Sequence, residues 1–132
     1  MIATSTPNGA GCAGMALTAD SDPWTGRDWN VTGTGFGTGS LGLTVLGLGT
    51  LSLPISNILP AGGPGCDLLV TTDALQLIVP AAGQASYTFS IPANPIFANF
   101  ALNLQMVSLD FTGSAITTIN STNAINGVVG AL

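Results

Sequence analysis

The sequence contains no lysine, no histidine and no glutamate, and its single cation is Arg27. A lone guanidinium cannot neutralise a run of phosphates, which excludes nucleic-acid binding through a basic face. Without an imidazole or an amine side chain there is no general base of the usual kind, no Schiff-base former and no histidine-rich metal site. Asp20, Asp22, Asp28, Asp67, Asp73 and Asp110 complete the charged set, and the net charge over 132 residues is −5. We therefore expect no catalytic residues, no cofactor and no bound metal. Long hydrophobic runs are missing too: residues 41–58 come closest and are interrupted by Gly42, Gly47, Gly49 and Pro54, so no membrane-spanning helix is expected. Residues 1–7 carry neither a basic stretch nor an apolar core, so no signal peptide is expected within this sequence.

What is present is apolar. Hydrophobic residues make up 46% of the chain, which rules out disorder through low hydrophobicity and high charge. The 18 glycines and 8 prolines show no Gly-X-Y period, so the chain reads as loop-rich and not collagen-like. A folded chain of this size exposes roughly 6,400 Å². Spread over it, seven charges leave on the order of 900 Å² each, far sparser than an ordinary soluble surface. With so little repulsion between copies, self-association is the first functional inference.

Cys12 and Cys66 are the only cysteines, and neither has a CxxC neighbour or a nearby base. A single structural disulfide is the favoured reading, set against two buried free thiols in a reducing compartment. Closing a loop of about 55 residues contributes roughly 4 kcal/mol in the chain-entropy model.

The hydrophobic pattern has period two. Ala85, Tyr87, Phe89 and Ile91 alternate with Ser86, Thr88 and Ser90, as in a strand with one buried and one wet face. From Phe100 the apolar positions run Leu102, Leu104, Met106 and then change parity to Val107, Leu109, Phe111, which predicts a bulge or bend near Met106. Residues 41–55 change parity twice and are expected to turn twice. Further strands are expected over residues 29–36, 67–72, 75–79, 115–119 and 125–132. Turn signals at Asn8-Gly9, at residues 61–65, at Ala82-Gly83 and at Thr112-Gly113 punctuate them. The pattern predicts one all-β domain, a single antiparallel β-sandwich of eight or nine short strands spanning residues 1–132.

Several strings in order carry a likeness: Gly9-Ala10-Gly11-Cys12, Pro23-Trp24-Thr25-Gly26, Gly63-Pro64-Gly65-Cys66-Asp67-Leu68-Leu69-Val70, Gly83-Gln84-Ala85-Ser86, Ile91-Pro92-Ala93-Asn94-Pro95, Gln105 and Thr122-Asn123-Ala124. Together they resemble a small disulfide-linked β-sandwich domain found in secreted proteins of planctomycete-type bacteria. The resemblance implies secretion, a disulfide between Cys12 and Cys66, and an accessory or structural role without catalysis; it supplies no active-site residues.

Other constellations have plain readings. The glycine string of residues 37–42 matches a dinucleotide fingerprint, but a strand-like segment follows where a helix is required, so a turn is expected. Asp20, Asp22 and Asp28 offer hard oxygens suited to Ca²⁺. They lack the ligand order of a known calcium loop, so solvated turn aspartates beside Arg27 are expected. Asp67, Asp73 and Asp110 fall in separate segments and do not form an expected catalytic pair. Trp24 and Trp29 are expected in the core, with a sugar-stacking platform as the other reading. Asn30-Val31-Thr32 and Asn120-Ser121-Thr122 are sequons whose use depends on the host.

Sandwiches expose edge strands that lysines normally guard, and this chain has none. We expect a non-catalytic, extracellular or cell-surface structural subunit whose partners are copies of itself. Head-to-tail strand addition would form a filament, with residues 1–8 or 123–132 as the exchanged segment. The alternative is a secreted module that binds a surface polysaccharide through Trp24, Trp29 or Tyr87.

Overall fold

With small, hydroxylated and β-branched side chains alternating along it and glycine every few residues, this chain cannot sustain a helical stripe and can sustain short strands. The structure, a computed structural model, describes residues 2–37, 39–63 and 65–131. They form eleven strands: β1 (Thr4–Asn8), β2 (Ala16–Ala19), β3 (Asp28–Thr34), β4 (Leu41–Gly47), β5 (Thr50–Pro54), β6 (Asp67–Val70), β7 (Ala74–Ile78), β8 (Gln84–Ser90), β9 (Ala101–Thr112), β10 (Ala115–Ser121) and β11 (Ala124–Val128). Two short 3-10 turns, Ile55–Asn57 and Pro95–Phe97, complete the regular structure. The all-β antiparallel sandwich expected from the pattern is present. The strand count exceeds the expected eight or nine because β1 is too polar and β2, of four residues, too short to announce themselves.

A six-stranded sheet in the order β1-β11-β9-β4-β7, with β10 also on β9, forms the middle of the molecule. Its upper face packs on the three-stranded sheet β2-β3-β8, and Trp29, Val31, Leu104, Met106 and Ile125 meet in that upper core. Trp29 is fully buried, its indole N–H donating to Ser5 Oγ at 3.2 Å. Its ring lies where a side chain on Gly127 would stand, within 2.5 Å of an added Cβ, so β11 needs glycine there. The lower face meets only the hairpin-like pair β5-β6 and the connection between them, through Val45, Ile55, Val70, Val107 and Ile119.

β9 is the hub. It pairs with β4 in unbroken register from Leu41↔Leu109 to Gly47↔Asn103, so the predicted bulge is not in β9. Residues 102–108 are buried on both faces, and this double burial is what the parity change recorded. The irregularity lies across from Met106, on the other side of the strand. β10 and β11 run end to end along β9 with Ser121↔Val107 and Ile125↔Leu104, four steps against three. The extra residue is absorbed at residues 122–124, where the Met106 N–H donates to Thr122 Oγ1 at 3.0 Å. Ahead of it, β9 turns into β10 through Gly113-Ser114, with Gly113 at φ +64° supplying the left-handed step of a two-residue hairpin.

Buried amides tie the layers. Gln105, fully buried on the lower face, donates through Nε2 to the carbonyls of Asp67 and Thr122, each at 2.8 Å, and accepts the Leu69 N–H at 2.9 Å. Asn123 extends β2 as a further strand would, accepting the Leu17 N–H at 2.9 Å and donating to the Leu17 carbonyl at 3.1 Å. These bonds satisfy the polar groups that burial would otherwise penalise.

The segments expected to be exchangeable are both paired within the chain. β1 pairs with β11 from Thr4↔Val128 to Asn8↔Ala124, and β11 also pairs with β9. Met1 and Leu132 lie outside the described residues.

Candidate assembly surface

Cys12 and Cys66 are disulfide-bonded, with their Cα atoms 5.2 Å apart. The bond joins the β1–β2 connection to the lower layer and crosses the end of β10, where the Cys12 N–H donates to the Ser121 carbonyl at 2.9 Å. The Asn120 side chain of the second sequon lies against it, Oδ1 3.5 Å from Cys66 Sγ. Asn30, in the first sequon, accepts the Thr88 hydroxyl at 2.7 Å on the outer face of the three-stranded sheet.

The aspartates serve local turns. Asp20 accepts the Thr32 hydroxyl at 2.5 Å, and Asp28 accepts that of Ser90 at 2.8 Å. Among the described residues, no three acidic, histidine or cysteine side chains converge as metal ligands. Asp67 is on β6, Asp73 in the β6–β7 turn and Asp110 on β9. Asp73 accepts the Leu48 N–H at 2.8 Å and the Thr71 hydroxyl at 2.7 Å. These two bonds, the backbone one first, hold its carboxyl below the ordinary range. Of the glycine string, Leu41 and Gly42 already open β4, and the Ser40 hydroxyl ahead of them donates to the Gly37 carbonyl at 2.8 Å; Thr38 lies outside the described residues, as does Pro64 in the second cysteine's string.

Trp29 is withdrawn from any sugar surface by its burial. Trp24 is half-buried and bridges to Gly130, and Tyr87 packs partly on the upper core, where desolvation raises its hydroxyl pKa.

The conspicuous surface is elsewhere. Cross-strand partners share a sheet face, and Leu43 and Leu109 belong to the lower core. The register therefore places Leu75 and Leu77 of β7, opposite Val45 and Leu43, on the lower face too. Phe111 continues the β9 row beyond Leu109, and Ile116 of β10 is its partner. The β5-β6 layer covers Val45 on β4 and Val107 on β9 and stops short of β7. Leu75, Leu77 and Val79 are 57%, 58% and 77% exposed, and Phe111 and Ile116 are exposed beside them. The row carries no charge; Asp110 alternates to the other face. Ile58 and Leu59, just after the first 3-10 turn, are half-exposed and reach the same part of the face. An apolar hollow of about 170 Å³ lies at the join, lined by Leu43, Leu59, Leu68, Leu75 and Val107.

β7 is the edge of the same sheet on one side, and β1 and β10 are its edges on the other. Four successive antiparallel pairings separate β1 from β7, so these two run in the same direction. β7 reads Ala-Leu-Gln-Leu-Ile, with no proline and no charge to guard its outer side. β1 carries Pro7, which fits an edge strand. Sequence reasoning found both segments of the open face as strands but not the face itself; the available signal was the paired Leu-x-Leu alternation of residues 41–45 and 75–79 without a lysine in either.

Comparison of the chain with family models, with curated proteins and with solved structures returned no match.

Proposed function

We propose that the protein is a non-catalytic, extracellular structural subunit that polymerises head to tail by strand addition. The observation that carries this reading is β7, an apolar and uncharged edge strand whose outer backbone groups have no partner strand in the sheet. An unguarded edge of this kind is a template for another strand. β1, at the far end of the same sheet, is a different strand, so its meeting with β7 is heterologous and does not close. Between the two terminal segments, β1 is the more releasable donor. It is held by one ladder and sits at the sheet margin, whereas β11 lies between β1 and β9 with Ala124 in the lower core and Ile125 in the upper. The disulfide supports an oxidising compartment, and the resemblance to a secreted sandwich domain belongs to the same reading.

The test places guards on the edge. Ala74 and Gln76 are exposed and alternate to the side of β7 away from the open lower face. Negative-stain microscopy and light scattering should show filaments for the native chain and dispersed particles for Ala74→Lys/Gln76→Lys, with unchanged circular dichroism. A native chain that stays dispersed at millimolar concentration, or filaments indifferent to both lysines, overturns the proposal.

A further inference from the structure

We infer that Asn8-Gly9, at the end of β1, is a self-modification site whose asparagine deamidates through a cyclic imide, and that the fold keeps the other Asn-Gly pair of the chain, Asn126-Gly127, unreactive. The only co-reactant is water. The Gly9 backbone nitrogen, its proton lost to solvent base, attacks Cγ of Asn8; a five-membered ring closes as the bond from Cγ to the side-chain nitrogen breaks and ammonia leaves. Water then opens the ring. Attack at Cγ leaves aspartate, and attack at the backbone carbonyl leaves isoaspartate, in which the main chain runs through Cβ and Cγ.

Both glycines are imposed by the fold. Gly9 has φ +73°, and a Cβ added there would stand 2.6 Å from Leu69 Cδ1; at Gly127 it would stand 2.5 Å from the Trp29 ring. Neither pair can shed the small residue that leaves its ring closure unhindered. What separates them is the backbone on either side. Ring closure swings the asparagine out of extended geometry to bring the following nitrogen against Cγ, which breaks any ladder running through that residue.

Asn8 is the last rung of β1 and pairs with Ala124 alone. Pro7 before it has no N–H to give, and Gly9 after it is exposed and outside the strand. The half-buried Asn8 side chain holds no hydrogen bond among the described residues. Fraying of one strand end therefore frees the site. Asn126 instead lies within β11 between Thr6 of β1 and Asn103 of β9, and Gly127 between Ser5 and Leu102. Asn126 Oδ1 is buried without a partner, so the two ladders, and no bond to that oxygen, guard this site. Strand ends open at almost no cost while a central strand opens only near the global unfolding free energy, so the two rates in the folded chain should differ on the order of a hundredfold or more.

The test is incubation of the full chain, kept dispersed at low concentration, at mildly alkaline pH and physiological temperature, with the urea-unfolded chain as reference. Peptide mass spectrometry with electron-transfer fragmentation locates each conversion and separates isoaspartate from aspartate. In urea both pairs should convert at similar rates. In the folded chain Asn8 should convert to a mixture of the two acids while Asn126 stays an amide. Asn8→Gln, which would have to close a slower six-membered ring, should abolish the conversion with unchanged circular dichroism. A folded chain in which Asn8 outlasts the urea reference as long as Asn126 does overturns the inference, as does conversion of Asn126 at the pace of Asn8 while circular dichroism shows the fold intact. Because the chain is dispersed throughout, neither result depends on whether it forms filaments.

Discussion

The two faces of the central sheet are made from the same kinds of residue and end differently. On the upper face, Leu102, Leu104, Met106 and Ile125 meet a sheet whose strands β3 and β8 are seven residues each and bury these positions of β9 and β11, leaving only the β7 margin exposed. On the lower face, Val45 and Val107 meet β5 and β6, of five and four residues, and the cover stops short of Leu75 and Leu77 on β7. The difference lies in the length of the covering layer and not in the hydrophobicity of what is covered. An apolar alternation says that a strand face needs a partner; it does not say that the partner belongs to the same chain.

Substitution on each face separates them most sharply. Trp29→Ala removes the largest fully buried side chain of the upper core, and a loss of about 3–5 kcal/mol is expected. Leu77→Thr on the lower face should alter the stability of the dispersed chain by no more than about 0.5 kcal/mol. Urea denaturation at low protein concentration measures both, and comparable costs would mean that the lower face is not open.

The disulfide contrasts the layers in another way, because it anchors only the lower one. With Cys12 and Cys66 separated by 54 positions, Cys12→Ser/Cys66→Ser should lower stability by roughly 4 kcal/mol in the chain-entropy model. Under conditions where the variant stays folded, release of the β5–β6 connection should raise binding of an apolar dye such as ANS. Dye binding equal to that of the native chain would separate the cross-link from the cover.

The smallest effect is electrostatic and sits beside β7. Asp73 has its carboxyl pKa depressed in the folded chain by the Leu48 N–H and the Thr71 hydroxyl. A depressed carboxyl contributes stability that is present above its unfolded pKa and lost as pH falls through the folded value. Asp73→Asn should therefore lower stability slightly at neutral pH and converge with the native chain at low pH, flattening the acid limb; an unchanged stability profile would show that the turn does not depend on the charge.

Much of the sandwich was legible. The alternation from Ala85 to Ile91 gives β8 with Ala85 and Ile91 buried and Ser86, Thr88 and Ser90 exposed. β1 was not legible, because Thr-Ser-Thr-Pro-Asn has no apolar face and is a strand only by virtue of β11 beside it. The parity change around Met106 was real but had two causes open to it, a bulge or burial on both sides, and only the layers above and below decide for burial. Trp29 could be placed in a strand from its neighbours, whereas its contact with Gly127, a hundred residues away, follows from pairing that no local pattern encodes. For the open face the limit is of another kind. Leu41, Leu43, Leu75 and Leu77 look the same in a sequence whether their cover is present or missing.

Gln105 gives the lower layer a built-in reporter. The Leu69 amide is on a strand of only four residues, which would ordinarily trade its hydrogen for deuterium by local fraying, yet its acceptor is the fully buried Gln105 side-chain oxygen. That amide is free to exchange only when β6 lifts from β9 and the Gln105 side chain loses its hold on Asp67. Its exchange rate therefore times the opening of the whole layer and not the breathing of one strand end.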